Sequence, residues 1–377
     1  MAKAPVKDNA ADIMNALVGV IGGNDEEATV SQFLDSGFPV LNHASASRWD
    51  AGFPVGRVIE IAGPPSSGKT AIATAAMAAA QKAGGVAGFM DHERSFSLTL
   101  APRLGLDTTP GRLVYKKPHT FEESVAIFNL AVTTIRQKKL IAKTAPMCWV
   151  FDSLAAMVPH SVLYDDKGNL RDPQKRNMND NTALSRATSA HFPAIAQMAE
   201  EHNVCVIFLN QLRTKIGVVF GDPRKTTGGD TPAYYFSQRI WLSASQIKKG
   251  TEVVGMEVKG KFVKNKVSRP FVEASWFFMF EPDGTGRFDR EKSMIEFLAA
   301  EGILPAGSKG GTVIWEGKQY PKDTLANAIR LSGKFNMLTD LLPKAYEPPV
   351  VAHVDTEPVE DAEEVDDAVE VGTSEAA

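Results

Sequence analysis

Largely apolar runs alternate with amphipathic stretches between residues 58 and 209. The apolar runs lie at 58–62, 86–90, 147–151 and 204–209. Helical periodicity begins at Ala71 and recurs near 121–137 and 184–202. Strands that are buried on both faces of a parallel sheet have this continuous apolar character, because neither face meets water. The alternation therefore predicts an α/β fold in which helices cover both faces of a mostly parallel central sheet.

Beyond Gln238 the pattern changes to strands that are separated only by turns. The segments are "RIWLSAS", "VGMEVKGKFVKNK" and "FVEASWFFMF", and they predict an antiparallel meander that extends the sheet. From about Asp289 helical periodicity returns on both sides of a hairpin candidate, "GTVIWEGKQY". These last elements predict a small C-terminal α/β domain.

The two ends of the chain differ from this core. One stripe of a short amphipathic helix is formed by Ile13, Met14, Leu17, Val18 and Ile21. After Pro343 the hydrophobic periodicity disappears, which is typical of a disordered tail. The chain is therefore divided into an N-terminal helical arm (1–37), a core (38–288), a small α/β domain (289–345) and an acidic tail (346–377).

Composition and charge narrow the class of protein. The 377 residues are 44% hydrophobic, which suffices for one large core and a smaller unit, and no apolar run reaches bilayer-spanning length. Cys148 and Cys205 lie in apolar runs, so we expect neither a disulfide nor a metal site, and a reducing cytoplasm is the expected location.

Charge is unevenly distributed along the chain. The whole chain carries a net charge of −4, whereas residues 350–377 hold ten acidic and no basic residues, so the first 349 residues carry +6. A basic body with an acidic tail suits a protein whose tail competes with a polyanionic partner. A tail that only increases solubility is the alternative, and charge alone favours it.

The sequence "GPPSSGKT" fits the pattern G-x-x-x-x-G-K-[ST] between a predicted strand and a predicted helix. Two glycines allow backbone angles that turn successive N–H groups towards the phosphates of a nucleoside triphosphate. The lysine is expected to reach the β- and γ-phosphates, and the threonine hydroxyl to ligate Mg²⁺. The candidate nucleotide contacts are Gly63, Pro64, Pro65, Ser66, Ser67, Gly68, Lys69 and Thr70.

Three further polar groups follow predicted strands: Glu93, Asp152 and Asn210-Gln211. The carboxyl ends of parallel strands meet at one edge of a sheet. We therefore expect Glu93 beside the γ-phosphate and Asp152 beside the Mg²⁺. Taken alone, each group is also compatible with an ordinary strand end that carries a capping polar residue.

With these motifs, the chain from about Phe38 to Phe280 resembles the RecA family of homologous recombinases. Most of the specificity lies in "FPVGRVIEIAGPPSSGKT", "NQLRTKIGVVFGDPRKTTGGD" and "GKFVKNKVSRPF", because other motor ATPases share only the first of these. Pro65 stands where cellular members usually carry Glu, and a long segment follows Asp152. Both departures indicate a divergent, phage-encoded member.

The resemblance implies a RecA-like P-loop ATPase core that binds ATP and Mg²⁺. It implies that Lys69 and Thr70 contact the phosphates and the metal, with Asp152 as the acid that organises the Mg²⁺. It further implies that Glu93 is the base that orients the attacking water and that Gln211 senses the γ-phosphate. The N-terminal arm resembles one that docks on the adjacent subunit to give an open filament, whereas packing on its own core is the alternative.

Two further features concern the neighbouring subunit and the base. Lys264 and Lys266 match family lysines that reach a neighbour's ATP, where their charge would stabilise the transition state. Protection of an exposed edge strand is the alternative for this pair. Leu100 replaces a tyrosine that the family often stacks on adenine, so we expect stacking that is weaker or supplied by another residue.

The loop from about Arg213 to Gly229 is the principal DNA-binding candidate. Cations and closely approaching N–H groups can hold phosphates, and an exposed apolar pair can wedge between bases without reading their identity. The alternative is a surface loop whose Phe220 packs back on the protein. The candidate contacts are Arg213, Lys215, Val219, Phe220, Arg224, Lys225, Thr226, Thr227, Gly228 and Gly229.

A second candidate is the segment 164–181, at the place of the family's other DNA-binding loop. Lys167, Arg171, Lys175 and Arg176 are basic, but four aspartates interleave with them. We select Arg171 and Arg176 as candidate contacts, although a solvated insertion is an equally good interpretation.

The leading hypothesis is an ATP-dependent DNA recombinase that polymerises on single-stranded DNA, pairs it with homologous duplex DNA and exchanges strands. The expected partners are both forms of DNA, other copies of the chain, and single-strand-binding and loading proteins, with no membrane. The alternatives are a ring-shaped helicase or other DNA motor, and an annealing or strand-protecting protein in which ATP only switches affinity. The Val219-Phe220 loop and the "VKNK" pair argue against the motor, and Glu93 argues against full loss of hydrolysis.

Overall fold

The computed structural model describes residues 29–172, 174, 180–214, 224–281, 283 and 285–343. The predicted N-terminal helix and the predicted acidic tail lie outside these residues. Four candidate DNA contacts also lie outside them, namely Arg176, Lys215, Val219 and Phe220.

A nine-stranded sheet forms the centre of the molecule. In chain order, the strands of the described residues are β1 (Phe33–Leu34), β2 (Phe53–Pro54), β3 (Val58–Ala62), β4 (Val86–Asp91), β5 (Leu113–Lys116), β6 (Met147–Asp152), β7 (Val204–Asn210), β8 (Leu212–Thr214), β9 (Arg224–Thr226), β10 (Gln238–Lys249), β11 (Glu252–Asn265), β12 (Glu273–Phe280), β13 (Gly286–Asp289), β14 (Thr312–Trp315) and β15 (Lys318–Pro321). The order across the large sheet is β13-β12-β11-β10-β3-β7-β6-β4-β5.

The direction of the strands divides this sheet into two parts. Parallel pairing joins, in spatial order, β10, β3, β7, β6, β4 and β5. Antiparallel pairing joins β10, β11, β12 and β13 into a meander. The predicted parallel sheet and the predicted meander are therefore both confirmed. Because β3, β7, β6 and β4 are parallel neighbours, the segments that follow them meet at one edge of the sheet.

Helices connect and cover these strands. In the described chain they are α1 (Pro39–Ala46), α2 (Lys69–Lys82), α3 (Phe121–Gln137), α4 (His160–Leu163), α5 (Asp180–Glu201), α6 (Thr231–Tyr235), α7 (Arg290–Ala300), α8 (Lys322–Ser332) and α9 (Asn336–Thr339). The three helices predicted within the parallel region correspond to α2, α3 and α5. α3 begins after Thr120, whose hydroxyl accepts a 3.1 Å hydrogen bond from the Glu123 N–H and so caps the helix.

Side chains of the central strands alternate between two buried clusters. In β7, Cys205 and Ile207 belong to one cluster, whereas Val206 and Phe208 belong to the other. Because successive side chains of a strand point to opposite faces, the clusters lie on opposite faces of the sheet. α2 contributes to the first cluster, and α3 and α5 contribute to the second, so helices cover both faces as predicted.

The segment after β13 packs on the first of these clusters. Met294, Leu298 and Leu325 are buried together with Leu41 and Trp276. Burial of each large apolar side chain stabilises the fold by about 1.5–3 kcal/mol. The separation of 289–345 as a small domain of its own stays a prediction. No helix in the described part of the chain is long and apolar enough to cross a lipid bilayer.

Candidate active site

A cavity of about 330 Å³ lies at the edge of the sheet where β3, β4, β6 and β7 end. It brings together five residues that the sequence analysis selected from four distant segments, namely Lys69, Thr70, Glu93, Asp152 and Gln211. The complete lining is Pro65, Ser66, Ser67, Gly68, Lys69, Thr70, Ala71, Glu93, Ser95, Asp152 and Gln211. The size and the polar lining suit the phosphate end of a nucleotide.

The loop between β3 and α2 has the backbone conformation that its glycines allow. A Cβ atom on Gly63 would come within 2.7 Å of Ser67 Oγ and 2.8 Å of Leu242 Cβ. Gly68 has a φ of 81° and precedes α2 without a side-chain cap. The first N–H groups of α2 therefore have no capping side chain, and a helix N-terminus in this condition is a ready site for phosphate.

Lys69 contacts the backbone of its own loop. The Lys69 ammonium donates to the Pro64 carbonyl oxygen at 2.8 Å and to the Gly63 carbonyl oxygen at 3.2 Å. Burial lowers the pKa of Lys69, while the negative charges of Asp152 and Glu93 oppose that change. A bound phosphate would supply a stronger, charged acceptor for this lysine.

Asp152 is the candidate metal ligand. Thr70 Oγ1 donates a 3.1 Å hydrogen bond to Asp152 Oδ2. Burial, and then the charge of Glu93, raise the pKa of Asp152 to about 7. No cluster of three or more His, Cys, Asp or Glu side chains in the described residues could hold a metal by itself. One carboxylate and one hydroxyl fit Mg²⁺, which takes its other oxygens from phosphates and water.

Glu93 is held by two hydrogen-bond donors. Glu93 Oε1 accepts from Ser153 Oγ at 2.5 Å and from Gln211 Nε2 at 3.3 Å. The Glu93 N–H donates to the Asp152 carbonyl oxygen at 3.1 Å, which ties the segment after β4 to the end of β6. Ser153 is not among the site residues predicted from the sequence. The pairing of Asp91 with Asp152 in neighbouring strands brings the residues that follow them together.

Asp91 shapes the segment that carries Glu93. Its carboxylate accepts from the N–H groups of Ser95 and Phe96 at 3.1 and 3.3 Å, and from the Tyr115 hydroxyl at 2.8 Å. Burial and the bond to Asp91 raise the pKa of Tyr115 to about 12. The carboxylate therefore fixes the turn after β4, although a simple motif search attributes no role to it.

Leu100 does not line the cavity. It precedes a 3₁₀ turn at Ala101–Leu104, is 41% exposed, and its N–H donates to Ser97 Oγ at 3.2 Å. Its role beside adenine stays a prediction.

The two lysines of the "VKNK" segment differ in their surroundings. Lys264 Nζ donates to the carbonyl oxygens of Ala233 and Tyr234 at 2.6 and 3.0 Å, at the end of α6. Burial, and then the charges of Lys266 and Arg239, lower the pKa of Lys264 to about 8. Lys266 is exposed. Within one chain Lys264 thus holds α6, and it must leave these carbonyls to reach a neighbouring subunit.

The described ends of the principal DNA-binding candidate form a short hairpin of β8 and β9. Arg213 is exposed at this hairpin. The Arg224 guanidinium lies 4.9 Å from the centre of the Trp241 ring, and Lys225 forms a 2.8 Å ion pair with Asp230. The hairpin therefore places cations at the surface, and two of them already have partners in the chain.

Two threonines attach the end of this loop to the sheet. Thr226 Oγ1 accepts a 3.0 Å hydrogen bond from Arg239 Nη2. The Thr227 carbonyl oxygen accepts a 2.9 Å hydrogen bond from Asn210 Nδ2. The threonine atoms that make these contacts are thus engaged by the protein.

Two glycines let the loop pack closely on the protein. Gly228 and Gly229 have φ angles of 111° and 84°, and a Cβ atom on them would come within 2.8 Å of Leu154 Cδ2 and 2.7 Å of Ser185 Oγ. The Gly228 carbonyl oxygen accepts from Thr188 Oγ1 at 2.8 Å. Close packing of Gly228 on Leu154, which follows β6, and of Gly229 on α5 therefore explains both glycines without DNA.

Arg171, from the second candidate segment, is bound within the chain. Its guanidinium donates to Asp180 Oδ1 at 2.9 Å and to the Ser161 carbonyl oxygen at 2.6 Å. Contact of Arg171 with DNA would require this ion pair to open, and so it stays a prediction.

Comparison with known proteins gives consistent matches. The family model for the RecA N-terminal domain matches residues 15–284. "Protein RecA" of Allochromatium vinosum is 36% identical over 319 residues, which cover 82% of this chain and 84% of the relative. "Protein RecA" of Bacteroides thetaiotaomicron is 42% identical over 258 residues, 68% of this chain and 71% of the relative. "Protein RecA 2" of Myxococcus xanthus is 36% identical over 280 residues, 73% and 71% of the two chains.

Proposed function

The chain belongs to the RecA family, and we propose that it is an ATP-dependent recombinase that forms filaments on single-stranded DNA and exchanges strands with homologous duplex DNA. One observation carries the proposal: the candidate base Glu93 is hydrogen-bonded to Gln211, which directly precedes the principal DNA-binding loop. Hydrolysis and DNA contact would therefore be coupled over a few ångströms. We assign this activity to the cytoplasm; a phage origin stays a prediction.

ATP hydrolysis would use the residues that line the cavity. Lys69 and the first turn of α2 would hold the phosphates, and Thr70 with Asp152 would hold Mg²⁺, which neutralises the charge that develops on the phosphoryl group. Glu93 would orient a water in line with the γ-phosphate and accept its proton. Gln211 would exchange its bond to Glu93 for one to the γ-phosphate, and the loop would respond.

DNA binding would rely on cations and backbone rather than base recognition. Arg213, Arg224 and Lys225 lie at the described hairpin of the loop, where they can neutralise phosphates. The Val219-Phe220 pair lies outside the described residues, and its insertion between bases stays part of the proposal. Binding of this kind tolerates any sequence, as homologous pairing requires.

Assembly would complete the active site. Lys264 and Lys266 would reach the ATP of the adjacent subunit and stabilise the transition state. ATP binding at the interface would then create the active filament, and hydrolysis would permit its release. The N-terminal arm would dock head to tail on the neighbour, which gives an open filament rather than a closed dimer.

Electron microscopy of the full chain tests this assembly. The chain is mixed with single-stranded DNA and a slowly hydrolysed ATP analogue, with Lys69→Ala protein as the control that lacks the phosphate contact. We expect open helical filaments for the unsubstituted chain and none for the control. Closed rings would instead favour a DNA motor, and DNA coated without regular helical order would favour an annealing protein.

A further inference from the structure

A buried carboxylate lies in the strand that leads to the phosphate loop. Glu60 occupies the middle of β3 and is wholly buried. An unpaired carboxylate in such a place is strongly destabilising, so its partners must be present and well oriented. Glu60 does not line the nucleotide cavity. The chemistry proposed above therefore gives no reason for this charge.

Each oxygen of Glu60 has one hydrogen-bond partner among the residues that the structure describes. Glu60 Oε2 accepts a 2.6 Å hydrogen bond from Arg239 Nε, and Glu60 Oε1 accepts a 2.9 Å hydrogen bond from Asn210 Nδ2. Arg239 is the register partner of Glu60 where β10 pairs with β3. Asn210 ends β7, the strand on the other side of β3. The carboxylate therefore joins three neighbouring strands.

The two partners of Glu60 also hold the returning end of the DNA-binding loop. Arg239 donates to the Thr226 hydroxyl, and Asn210 donates to the Thr227 carbonyl oxygen. Asn210 contacts the outgoing end as well, because its Oδ1 accepts a 2.9 Å hydrogen bond from the Gln211 N–H. A displacement of Gln211 therefore reaches both ends of the loop through groups that share one carboxylate.

Two unpaired groups beside these bonds indicate that the arrangement can change. Thr227 Oγ1 and Trp241 Nε1 are buried and lack a hydrogen-bond partner among the described residues. A buried polar group without a hydrogen bond is destabilising, and a second position of the loop end could supply the missing bonds. The Trp241 ring stacks with Arg224 of β9 and lies 5.8 Å from the Arg239 guanidinium of β10. One cation from the loop and one from the sheet therefore contact the same ring.

We propose that Glu60, Asn210 and Arg239 form a buried relay that transmits the state of the nucleotide from Gln211 to Thr226 and Thr227. The inference rests on the proposed function, because it assumes that Gln211 responds to bound ATP. Glu60 and Arg239 act as positioning residues that never touch the nucleotide. Because the buried charge of Glu60 cannot remain unpaired and each of its oxygens is bonded to one of these side chains, Asn210 and Arg239 move together with Glu60 and displace the loop as a unit.

Trp241 provides a spectroscopic signal for this displacement without DNA. Its ring contacts Arg224 of the loop and Arg239 of the relay, and a change in either cation alters its fluorescence. The chain contains five tryptophans, so the Trp241 signal is the difference between a protein and the same protein with Trp241→Phe. Calorimetry on the same samples measures binding of a slowly hydrolysed ATP analogue with Mg²⁺.

Four variants of the full chain test the relay. Glu60→Gln removes the ion pair, and Thr226→Val removes only the hydroxyl that Arg239 contacts, which keeps the test valid if Glu60→Gln fails to fold. Thr226→Ser retains that hydroxyl. Gln238→Leu is the matched control, because Gln238 is buried beside Arg239 but bonds to Ser45 and Asn265, away from the loop.

In the unsubstituted chain, we expect binding of the analogue to change the Trp241 fluorescence signal. The change should fall about threefold or more in Glu60→Gln and Thr226→Val, and persist in Thr226→Ser and Gln238→Leu. Equal responses in all variants that bind the analogue would overturn the relay, as would saturated binding with no response in the unsubstituted chain. Failure of the proposed function is distinguishable, because the unsubstituted chain would then bind the analogue but form no open filaments on single-stranded DNA, whatever the response of Trp241.

Discussion

Gln211 donates a 3.3 Å hydrogen bond to Glu93, and this bond spans the ends of two strands, β7 and β4, that flank β6. Ser153, from the end of β6 between them, donates to the same carboxylate oxygen. The candidate base is thus oriented by the strand that leads into the DNA-binding loop. A movement of that loop would therefore shift Glu93, and a movement of Glu93 would shift Gln211 and the loop that follows it.

Glu93→Gln tests the assigned base. The amide keeps the shape of the side chain but cannot accept a proton, so ATP should still bind while turnover falls by roughly 10²- to 10⁴-fold. Filaments on DNA should last longer as a result. Steady-state hydrolysis and nucleotide binding are measured in parallel, with Glu257→Gln on an exposed site as the control. Near-normal turnover in Glu93→Gln would remove its assigned role.

Asp152→Asn tests the electrostatics of the ATP-free site. A carboxyl whose pKa rises from 3.8 to about 7 on folding binds its proton more tightly in the folded chain. Stability therefore falls as pH rises between about 4 and 7, and at pH 8 the buried charge costs roughly 2–4 kcal/mol. The neutral asparagine should raise the melting temperature by a few degrees at about pH 8 and have little effect near pH 4.

Thermal unfolding without nucleotide or Mg²⁺ measures this difference. The exposed Asp166→Asn change serves as the control for loss of one surface carboxylate. A lower melting temperature for Asp152→Asn at pH 8 would show that the buried charge is not destabilising. With Mg²⁺-ATP present the order should reverse, because the carboxylate then has a cation partner.

Lys264→Ala tests catalysis between subunits. Loss of the ammonium should abolish DNA-stimulated hydrolysis without unfolding the chain. The control is Lys261→Ala, because Lys261 lies on the same strand as Lys264 but pairs with Glu273 of β12, and it should have little effect. The decisive sample mixes Lys264→Ala with Lys69→Ala protein. Sites that combine an intact phosphate loop with an intact neighbouring lysine should recover part of the activity. If no mixing ratio restores hydrolysis, the lysine does not act on its neighbour.

Removal of the chain after Tyr346 tests the acidic tail. A tethered segment with ten carboxylates can occupy a basic surface at high effective concentration, so its removal should strengthen duplex binding and lower the Mg²⁺ needed for pairing. The gain should shrink as salt screens the competition. Duplex affinity is compared for the two chains across a salt series. Superimposable curves, with more aggregation of the shortened chain, would favour a tail that only increases solubility.

Local patterns explain what the sequence predicts well. The phosphate loop, its strand and its helix are contiguous, and the strand that ends in Asp152 is recognised by its apolar run alone. The register of β4 and β6 then brings Glu93 to Asp152 and Ser153, and that register can be specified only after the strand order is known. Ser153 was missed for this reason, because nothing in its own neighbourhood marks it.

Long-range pairings explain what the sequence leaves open. Glu60 stands out as a charge in the apolar run of β3, but its partner Arg239 is 179 residues away along the chain. Their contact requires β10 to lie beside β3, an order that alternating periodicity does not specify. Likewise, Arg171 is basic in sequence, whereas the ion pair with Asp180 that engages it depends on the fold of the insertion.

Strand exchange tests the central claim most directly. The full chain is incubated with circular single-stranded DNA, ATP and Mg²⁺, and linear duplex DNA that is either homologous or of unrelated sequence. We expect joint molecules and displaced strands with homologous duplex only, and none with Lys69→Ala protein. Products that form equally with the unrelated duplex or without ATP, or a failure to pair homologous DNA despite normal ATP hydrolysis, would contradict the assignment as a recombinase.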